Sequence, residues 1–214
     1  MSTVIYATND GRVINFETTN WTDTRDATSG NTVSTSASLI DMVQISKAAG
    51  RGGTTYGCAR SFFQFDTSSI THVPESARFD VYGYSTSGAG NMYGVKSTQS
   101  SSLGTGDFNA IDGWSTGGVD NISNVTLYTN IVGSIWSTSG YNAFTLTQQA
   151  LFDIAAMTTF KIAILNFAND IRGIEPSSGV DRSGCHSSAY TGTSRDPKLA
   201  IIEQDNSVFV GCNF

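Results

Sequence analysis

The chain has few charges and few prolines for its length. Only 14% of its 214 residues are charged, and it has 3 prolines against 22 glycines. Lys and Arg occur singly and the formal net charge is −6, which excludes a nucleic-acid-binding protein because neutralising phosphates requires a basic surface. Abundant glycine with little proline favours short strands joined by glycine turns over helices.

Long apolar runs and targeting segments are also missing. No stretch approaches the roughly 20 apolar residues that a membrane-spanning helix needs. The N-terminal sequence MSTVIYATNDGRVINF lacks the charged start, apolar core and small-residue cleavage site of a signal peptide. We therefore expect no membrane partner, and we expect the chain to be made and folded in the cytoplasm.

Side chains suited to catalysis are scarce. His186 adjoins Cys185, but neighbours on a strand point to opposite faces and do not form a nucleophile–base hydrogen bond. The cysteines Cys58, Cys185 and Cys212 lack CxxC spacing and are interpreted as small buried hydrophobes, with a Cys58–Cys185 bridge as the alternative. No carboxylate pair stands out as a glycosidase set, so we predict no catalytic residues and a protein that is not an enzyme.

The apolar pattern predicts one all-β domain over residues 1–214. Segments such as LIDMVQIS and ARFDVYGYS alternate apolar and polar residues, as half-buried strands do. Asn9-Asp10-Gly11 predicts a tight hairpin turn within an N-terminal extension over 1–34. Thr147, a favourable N-cap, precedes apolar residues at helical spacing and predicts one short α-helix near 147–157. The expected fold is an antiparallel β-sandwich.

The segment RSFFQFDTSSI concentrates three phenylalanines in four positions. On a strand, Phe63 and Phe65 share one face and are predicted to lie in the core. Arg60, Phe62 and Asp66 share the other face. We expect Arg60 and Asp66 to form an exposed ion pair, and Phe62 to be covered by a loop or by a partner chain.

Taken in order, several segments resemble the DNRLRE / CBM96-like jelly-roll domain family. RSFFQFDTSSI followed by HVPESARFDVYGY resembles its Phe-Asp-x-Ser-x-Ile strand end and the alternating strand after it. Two tryptophans, Trp114 and Trp136, then FTLTQQALFDI and a Ser-Ser segment before Asp-Pro-Lys-Leu continue the pattern. The similarity spans about residues 35–202, and it leaves out the first 34 residues and an apolar tail over 203–214.

This resemblance implies a jelly-roll sandwich of the kind found in phage structural proteins and in extracellular carbohydrate-associated proteins. It implies surface display, sometimes with carbohydrate contact, and no catalysis. Together with the missing signal peptide, it predicts a structural virion protein of a bacteriophage, such as a capsid decoration, fibre or tail component. The expected partners are other virion proteins and copies of the chain itself, with a trimer favoured by analogy. The alternative is a non-catalytic carbohydrate-binding module of a secreted enzyme or adhesin.

Three groups of candidate binding residues follow. Calcium is the one cofactor considered, because it takes about 6–8 oxygen ligands and Asp is abundant in the loops, although loop aspartates also form turns. Its candidate ligands are Asp107, Asp112, Asp170 and Asp181. Aromatic residues that would stack on a cell-surface glycan, or else anchor loops, are Trp21, Trp114 and Tyr141. Residues that would contact a partner chain, unless the tail adds a strand to its own sheet, are Phe62, Val208, Phe209, Val210 and Phe214.

Overall fold

The structure is a computed structural model that describes residues 1–17, 20–88, 90–129 and 136–204. In these ranges the strands are β1 (Ser2–Glu17), β2 (Thr32–Ser34), β3 (Leu39–Gly50), β4 (Gly53–Asp66), β5 (Ser76–Ser87), β6 (Met92–Lys96), β7 (Tyr141–Thr145), β8 (Thr159–Asn166), β9 (Gly179–His186) and β10 (Lys198–Ile202). The helices are α1 (Trp21–Arg25) and α2 (Gln148–Ala156), with a 3-10 turn at Thr105–Asp107 and a π-helical turn at Phe167–Ile171.

Two strands, β1 and β5, each take part in both sheets of the protein. As a result, strand pairing can be followed from β1 through both sheets and back to β1, and we call this closed path the circuit of strands. Residues 2–6 of β1 pair with β10, whereas the rest pairs with β4 after an irregularity between Ala7 and Asn9. β5 pairs with β10 and β7 in its first half and with β9 in its second. The circuit returns to β1 through β9, β3 and β4. All these pairs are antiparallel. Together with the packing of the two sheets described below, this confirms the predicted all-β, jelly-roll-like sandwich.

The small sheet contains β7, β10 and the first halves of β1 and β5, and the large sheet contains the remaining pairs. Phenylalanines from both sheets meet in the core between them. Phe79 of β5 lies 4.9 Å from Phe63 and 5.8 Å from Phe65 between ring centroids, and 5.6 Å from Phe144 of β7. All four rings have no exposed surface. The predicted core positions of Phe63 and Phe65 are therefore confirmed.

The predicted turn at Asn9-Asp10-Gly11 is wrong, because the chain runs through it as part of β1. The Asp10 carboxylate is buried and accepts hydrogen bonds from the Ser188 amide at 2.9 Å and from its hydroxyl at 2.7 Å. A Cβ atom on Gly11 would lie 2.5 Å from the carbonyl oxygen of Ser34. Asp10 thus accepts hydrogen bonds from a residue that is distant in the sequence, and Gly11 allows β1 and β2 to approach closely. Neither residue reverses the chain direction, so β1 is an integral strand of the sandwich.

The outer face of the large sheet is covered by the chain itself. Phe62 has no exposed surface and shares its face of β4 with Arg60. The Arg60 side chain donates to the Phe108 carbonyl at 2.8 Å, which places the segment between β6 and β7 over this face. The interpretation of Phe62 as a contact to a partner chain is therefore corrected. The other predicted contact residues lie outside the described residues: Val208, Phe209, Val210 and Phe214.

The predicted short helix is confirmed as α2. Its N-cap Thr147 accepts a hydrogen bond from the Ala150 amide at 3.4 Å, which satisfies one of the free N–H groups at the helix start. The helix buries Leu151 and Ile154 against the sandwich and leaves Phe152 half exposed. Across the described ranges, no helix has both the length and the apolar character needed to cross a bilayer.

The Cys58–Cys185 bridge is not formed. Both thiols are free and have no exposed surface. Cys58 lies on β4 and Cys185 on β9, and β3 runs between these two strands with Ile45 opposite Cys58 and Ile40 opposite Cys185. The interpretation of both cysteines as small buried hydrophobes is correct, and Cys212 lies outside the described residues.

Candidate functional site

The four aspartates considered as calcium ligands have separate surroundings. Asp107 accepts from two backbone N–H groups of its own loop, both at 2.8 Å, and Asp112 accepts from a threonine hydroxyl at 2.8 Å. Asp170 is the counter-ion of Arg60, and burial raises the pKa of Asp181. In the part of the chain that the structure describes, no three His, Cys, Asp or Glu side chains form a potential metal site.

Arg60 lies at the centre of a buried ionic cluster, not on an exposed face. Its guanidinium donates to both oxygens of the Asp170 carboxylate, at 2.9 and 2.6 Å, and both side chains have no exposed surface. It also donates to the carbonyls of Phe108 and Arg25, each at 2.8 Å. The predicted ion pair with Asp66 is therefore wrong, and Asp66 instead accepts from a backbone amide of the turn that follows it.

The two tryptophans considered as glycan contacts pack in the same region. Trp21 is 4% exposed and packs against Tyr56, with ring centroids 6.3 Å apart. Trp114 is partly buried, and the guanidinium carbons of Arg25 and Arg60 lie 4.6 and 4.3 Å from its ring centroid. Such cation–π contacts stabilise a buried arginine whose charge water cannot reach. Both tryptophans therefore have the positions of loop anchors.

A second polar cluster adjoins a cleft of about 520 Å³ that Lys96 and Tyr128 line. Asp153 of α2 accepts from Lys96 at 3.0 Å, from Gln149 at 3.1 Å, and from the Tyr128 hydroxyl. Burial acts to raise the pKa of Asp153, but the hydrogen bonds from Tyr128 and Lys96 outweigh it and lower that pKa. Both carboxylate oxygens accept hydrogen bonds, so the cluster ties α2 to β6.

Aromatic and cationic side chains gather where β5, β7, β9 and β10 come together. Tyr82 and Tyr141 are direct partners across β5 and β7, with ring centroids 5.4 Å apart. His186, at the end of β9, lies edge-on to Tyr82 at 5.4 Å and to Tyr190 at 4.5 Å. We call this group the tyrosine surface, and its members are Tyr82, Tyr141, His186, Tyr190, Arg195 and Lys198.

Two cations of the tyrosine surface lie over its rings. The Lys198 ammonium is 3.7 Å from the Tyr141 ring centroid, and the Arg195 guanidinium carbon is 4.9 Å from that of Tyr82 and 5.0 Å from that of Tyr190. Among the described residues, neither cation has a carboxylate oxygen within 4.0 Å. The rings therefore hold two cations in place while most of their hydrogen-bond donors remain available.

Buried polar atoms beneath the tyrosine surface also lack protein partners. The Arg195 guanidinium lies 3.4 Å from the His186 Nε2 atom, and because a guanidinium only donates, a hydrogen bond between them requires Nε2 to be the acceptor. Neither His186 Nδ1 nor the Asp196 Oδ1 atom has a hydrogen-bond partner within the described ranges. Nine other buried side-chain atoms of the described residues share this feature, among them Trp21 Nε1 and Ser61 Oγ, so it does not by itself mark a binding site.

Tyr141 is the one predicted glycan contact that lies in the tyrosine surface. Its hydroxyl donates to the Ser194 carbonyl at 3.0 Å, and burial raises the pKa of Tyr141 to about 12, so the phenol stays protonated. Sequence reasoning missed the other members because they are far apart in the sequence. Tyr82, His186 and Lys198 lie on three different strands, and Tyr190 and Arg195 lie in the segment between β9 and β10. The available signals were the paired tyrosines in ARFDVYGYS and the cations that flank Asp-Pro in SRDPK.

Acidification is expected to destabilise the protein through His186. Burial, together with the charge of Arg195, lowers the pKa of His186. The unfolded chain therefore binds a proton at higher pH than the folded protein. The contribution of His186 to the free energy of unfolding is therefore complete above about pH 6.5, which is the pKa of histidine in the unfolded chain. It is lost as the pH falls from there towards the lower pKa of His186 in the folded protein.

Melting temperatures between about pH 7.5 and 5.5 test this titration. The variant H186Q should lose less stability over this range than the parent does. If H186Q and the parent respond equally to pH, His186 does not titrate as described.

The family expected from the sequence has no support beyond the resemblance itself. No protein-family model matches the chain, and no curated protein matches it by sequence.

Proposed function

We propose that the protein is a non-catalytic structural protein of a bacteriophage particle that contacts an acidic glycan through its tyrosine surface. Glycan contact is supported by Arg195 and Lys198, which lie over tyrosine rings with no carboxylate oxygen within 4.0 Å in the described residues. Cations placed in this way form charge-assisted hydrogen bonds to a carboxylate. The tyrosines add an amphipathic contact area of the kind that suits a sugar ring.

The location on a phage particle is supported by the sequence resemblance. Mass spectrometry of purified particles tests the location directly, and we expect the chain in every preparation. Consistent absence would remove the virion location and would favour the module of a secreted enzyme or adhesin.

Glycan binding is tested by removing the two cations. The variant R195Q/K198Q is expected to bind a uronate oligosaccharide at least about tenfold more weakly than the parent, because a hydrogen bond to a charged group contributes about 1.5–3 kcal/mol. Isothermal titration calorimetry at low ionic strength measures the change, and a neutral oligosaccharide of equal length is the matched ligand.

The control variant is R172Q, which removes a cation whose side chain is 47% exposed and pairs with Asp120. It should bind the uronate as the parent does. Equal affinity of the parent and R195Q/K198Q would contradict the role of the tyrosine surface. Tighter binding of the neutral oligosaccharide would contradict an acidic ligand.

A further inference from the structure

We propose that the cleft beside β8 binds an extended, acidic peptide segment of another protein chain, which adds as a strand to the free edge of β8. The cleft has a volume of about 520 Å³ and lies between the start of β8, the end of β6 and the C-terminal end of α2. This volume lies within the range of about 300–1,000 Å³ that is usual for ligand sites. We call it the β8 cleft.

The first residues of β8 pair with a strand on one side only. β8 pairs with β4 from its first residue, Thr159, whereas its pairing with β6 covers only residues 162–166. The chain turns away from β8 at the end of β6, because the Lys96 carbonyl accepts from the Asp112 amide at 3.0 Å. Among the described residues, the edge of β8 over 159–161 therefore has no neighbouring strand on the side of β6.

Backbone hydrogen bonds show which groups face this free edge. The Thr67 amide donates to the Thr158 carbonyl at 3.0 Å, and the Ser97 amide donates to the Lys161 carbonyl at 3.3 Å. In an antiparallel sheet, alternate residues direct their N–H and C=O groups to opposite neighbours. Even-numbered residues at the start of β8 therefore face β4. The N–H and C=O groups of Thr159, which lines the cleft, face the free edge.

An extended peptide is the ligand that these backbone groups fit. The main chain of an extended peptide offers one donor and one acceptor on the same side at every second residue. A strand laid along β8 would therefore donate to the Thr159 carbonyl and accept from the Thr159 amide. Addition of a strand to an exposed sheet edge is a common mode of peptide recognition, in which main-chain hydrogen bonds supply the affinity.

The charge of the β8 cleft favours an acidic segment. Of the described residues that line the cleft, the charged ones are Lys96 and Lys161. Lys96 is paired with Asp153 at 3.0 Å. Lys161 donates to the Gln99 carbonyl at 2.7 Å, and no carboxylate oxygen of the described residues lies within 4.0 Å of its ammonium. An ammonium has further donors, which remain available to a ligand carboxylate.

Binding of a synthetic peptide to the isotope-labelled full chain, followed by NMR, tests the strand addition. The probe is acetyl-Val-Thr-Val-Asp-Val-amide, and we expect it to shift the amide signals of Thr159 and Lys161 in a saturable way. The matched ligand is the same peptide with N-methylated amides, which has no donor for the Thr159 carbonyl. This ligand should shift neither signal at millimolar concentration.

The charge requirement is tested by the variant K161Q. It should bind the probe at least about tenfold more weakly than the parent, because the hydrogen bond to the carboxylate is charge-assisted. It should bind the peptide with Asn in place of Asp as weakly as the parent does. The control K47Q removes a lysine of β3 that pairs with Glu175 at 2.6 Å, and it should bind the probe normally.

A second variant tests the location of the peptide without changing the charge. T98W places a large side chain at an exposed residue that lines the β8 cleft, and it should block binding of the probe. R195Q/K198Q changes only the tyrosine surface and should bind the probe as the parent does. The outcome for the β8 cleft is therefore independent of the outcome for glycan binding.

Several outcomes would each overturn the proposal. Equal binding of the probe and its N-methylated form would exclude strand addition, and equal affinity of the parent and K161Q for the probe would exclude the acidic contact. Normal binding in T98W, or no shift at Thr159 with millimolar probe, would exclude the β8 cleft as the site. Stronger shifts of the same amides by a uronate oligosaccharide would assign the cleft to a glycan. Shifts that grow with protein concentration and need no peptide would assign it to a second copy of the chain.

Discussion

Replacing Arg60 with alanine is expected to lower the free energy of unfolding by about 3–5 kcal/mol, or to prevent folding. The change leaves the Asp170 carboxylate, which has no exposed surface, without its cation. It also leaves the carbonyls of Phe108 and Arg25 without this donor. A buried charge that loses its partner is costly because water cannot replace the lost solvation. Urea unfolding followed by circular dichroism measures the loss.

The matched control is an exposed ion pair between Arg172 and Asp120, which are 2.7 Å apart with side chains 47% and 38% exposed. R172A should change stability little, since water and salt screen such pairs. The double variant R60M/D170L should recover part of the loss in R60A, because it removes both buried charges together. If R60A and R172A unfold at the same urea concentration, the buried cluster does not stabilise the fold as described.

Truncating Phe79 to alanine is the second change with a large expected effect, a loss of about 3–5 kcal/mol. Its ring contacts those of Phe63, Phe65 and Phe144, and all four have no exposed surface. The truncation would open a cavity between the two sheets and would remove three aromatic contacts at once. Thermal and urea unfolding both report this loss.

Two further variants test whether the loss comes from packing. F79L keeps most of the buried volume and should restore much of the stability. F16A truncates a phenylalanine of β1 that is 43% exposed and should cost much less. A loss in F79A no larger than that in F16A would show that the sheets do not depend on this ring.

Several parts of the fold could be predicted because they follow from neighbours in the sequence. Alternation placed Phe63 and Phe65 on one face of β4, and both are buried. Thr147 begins α2 because a side-chain oxygen at that position satisfies a free N–H group of the first turn. These predictions held because the period of a strand or helix and its cap depend on only a few adjacent residues.

Predictions that depended on a partner distant in the chain failed. Strand alternation predicts a pair between Arg60 and Asp66 on one face of β4, yet the counter-ion of Arg60 is Asp170, 110 positions further along the chain. Asp10 and Gly11 have the composition of a hairpin turn, but Asp10 bonds to Ser188, 178 positions away. In each case a local preference was outweighed by a buried interaction that only the strand order creates.

The tyrosine surface also depends on residues that are distant from one another in the chain. Tyr141 could be singled out from the sequence as an aromatic residue available to a glycan, but its position under Lys198 depends on the pairing of β5 with both β7 and β10. The sequence by itself determined an all-β chain, the shared face of Phe63 and Phe65 and one capped helix, because side-chain alternation and capping are local. The tertiary structure alone decided which charges are buried together, which cysteines stay apart and which tyrosines share a surface. These depend on how the circuit of strands closes, and no short stretch of sequence encodes that closure.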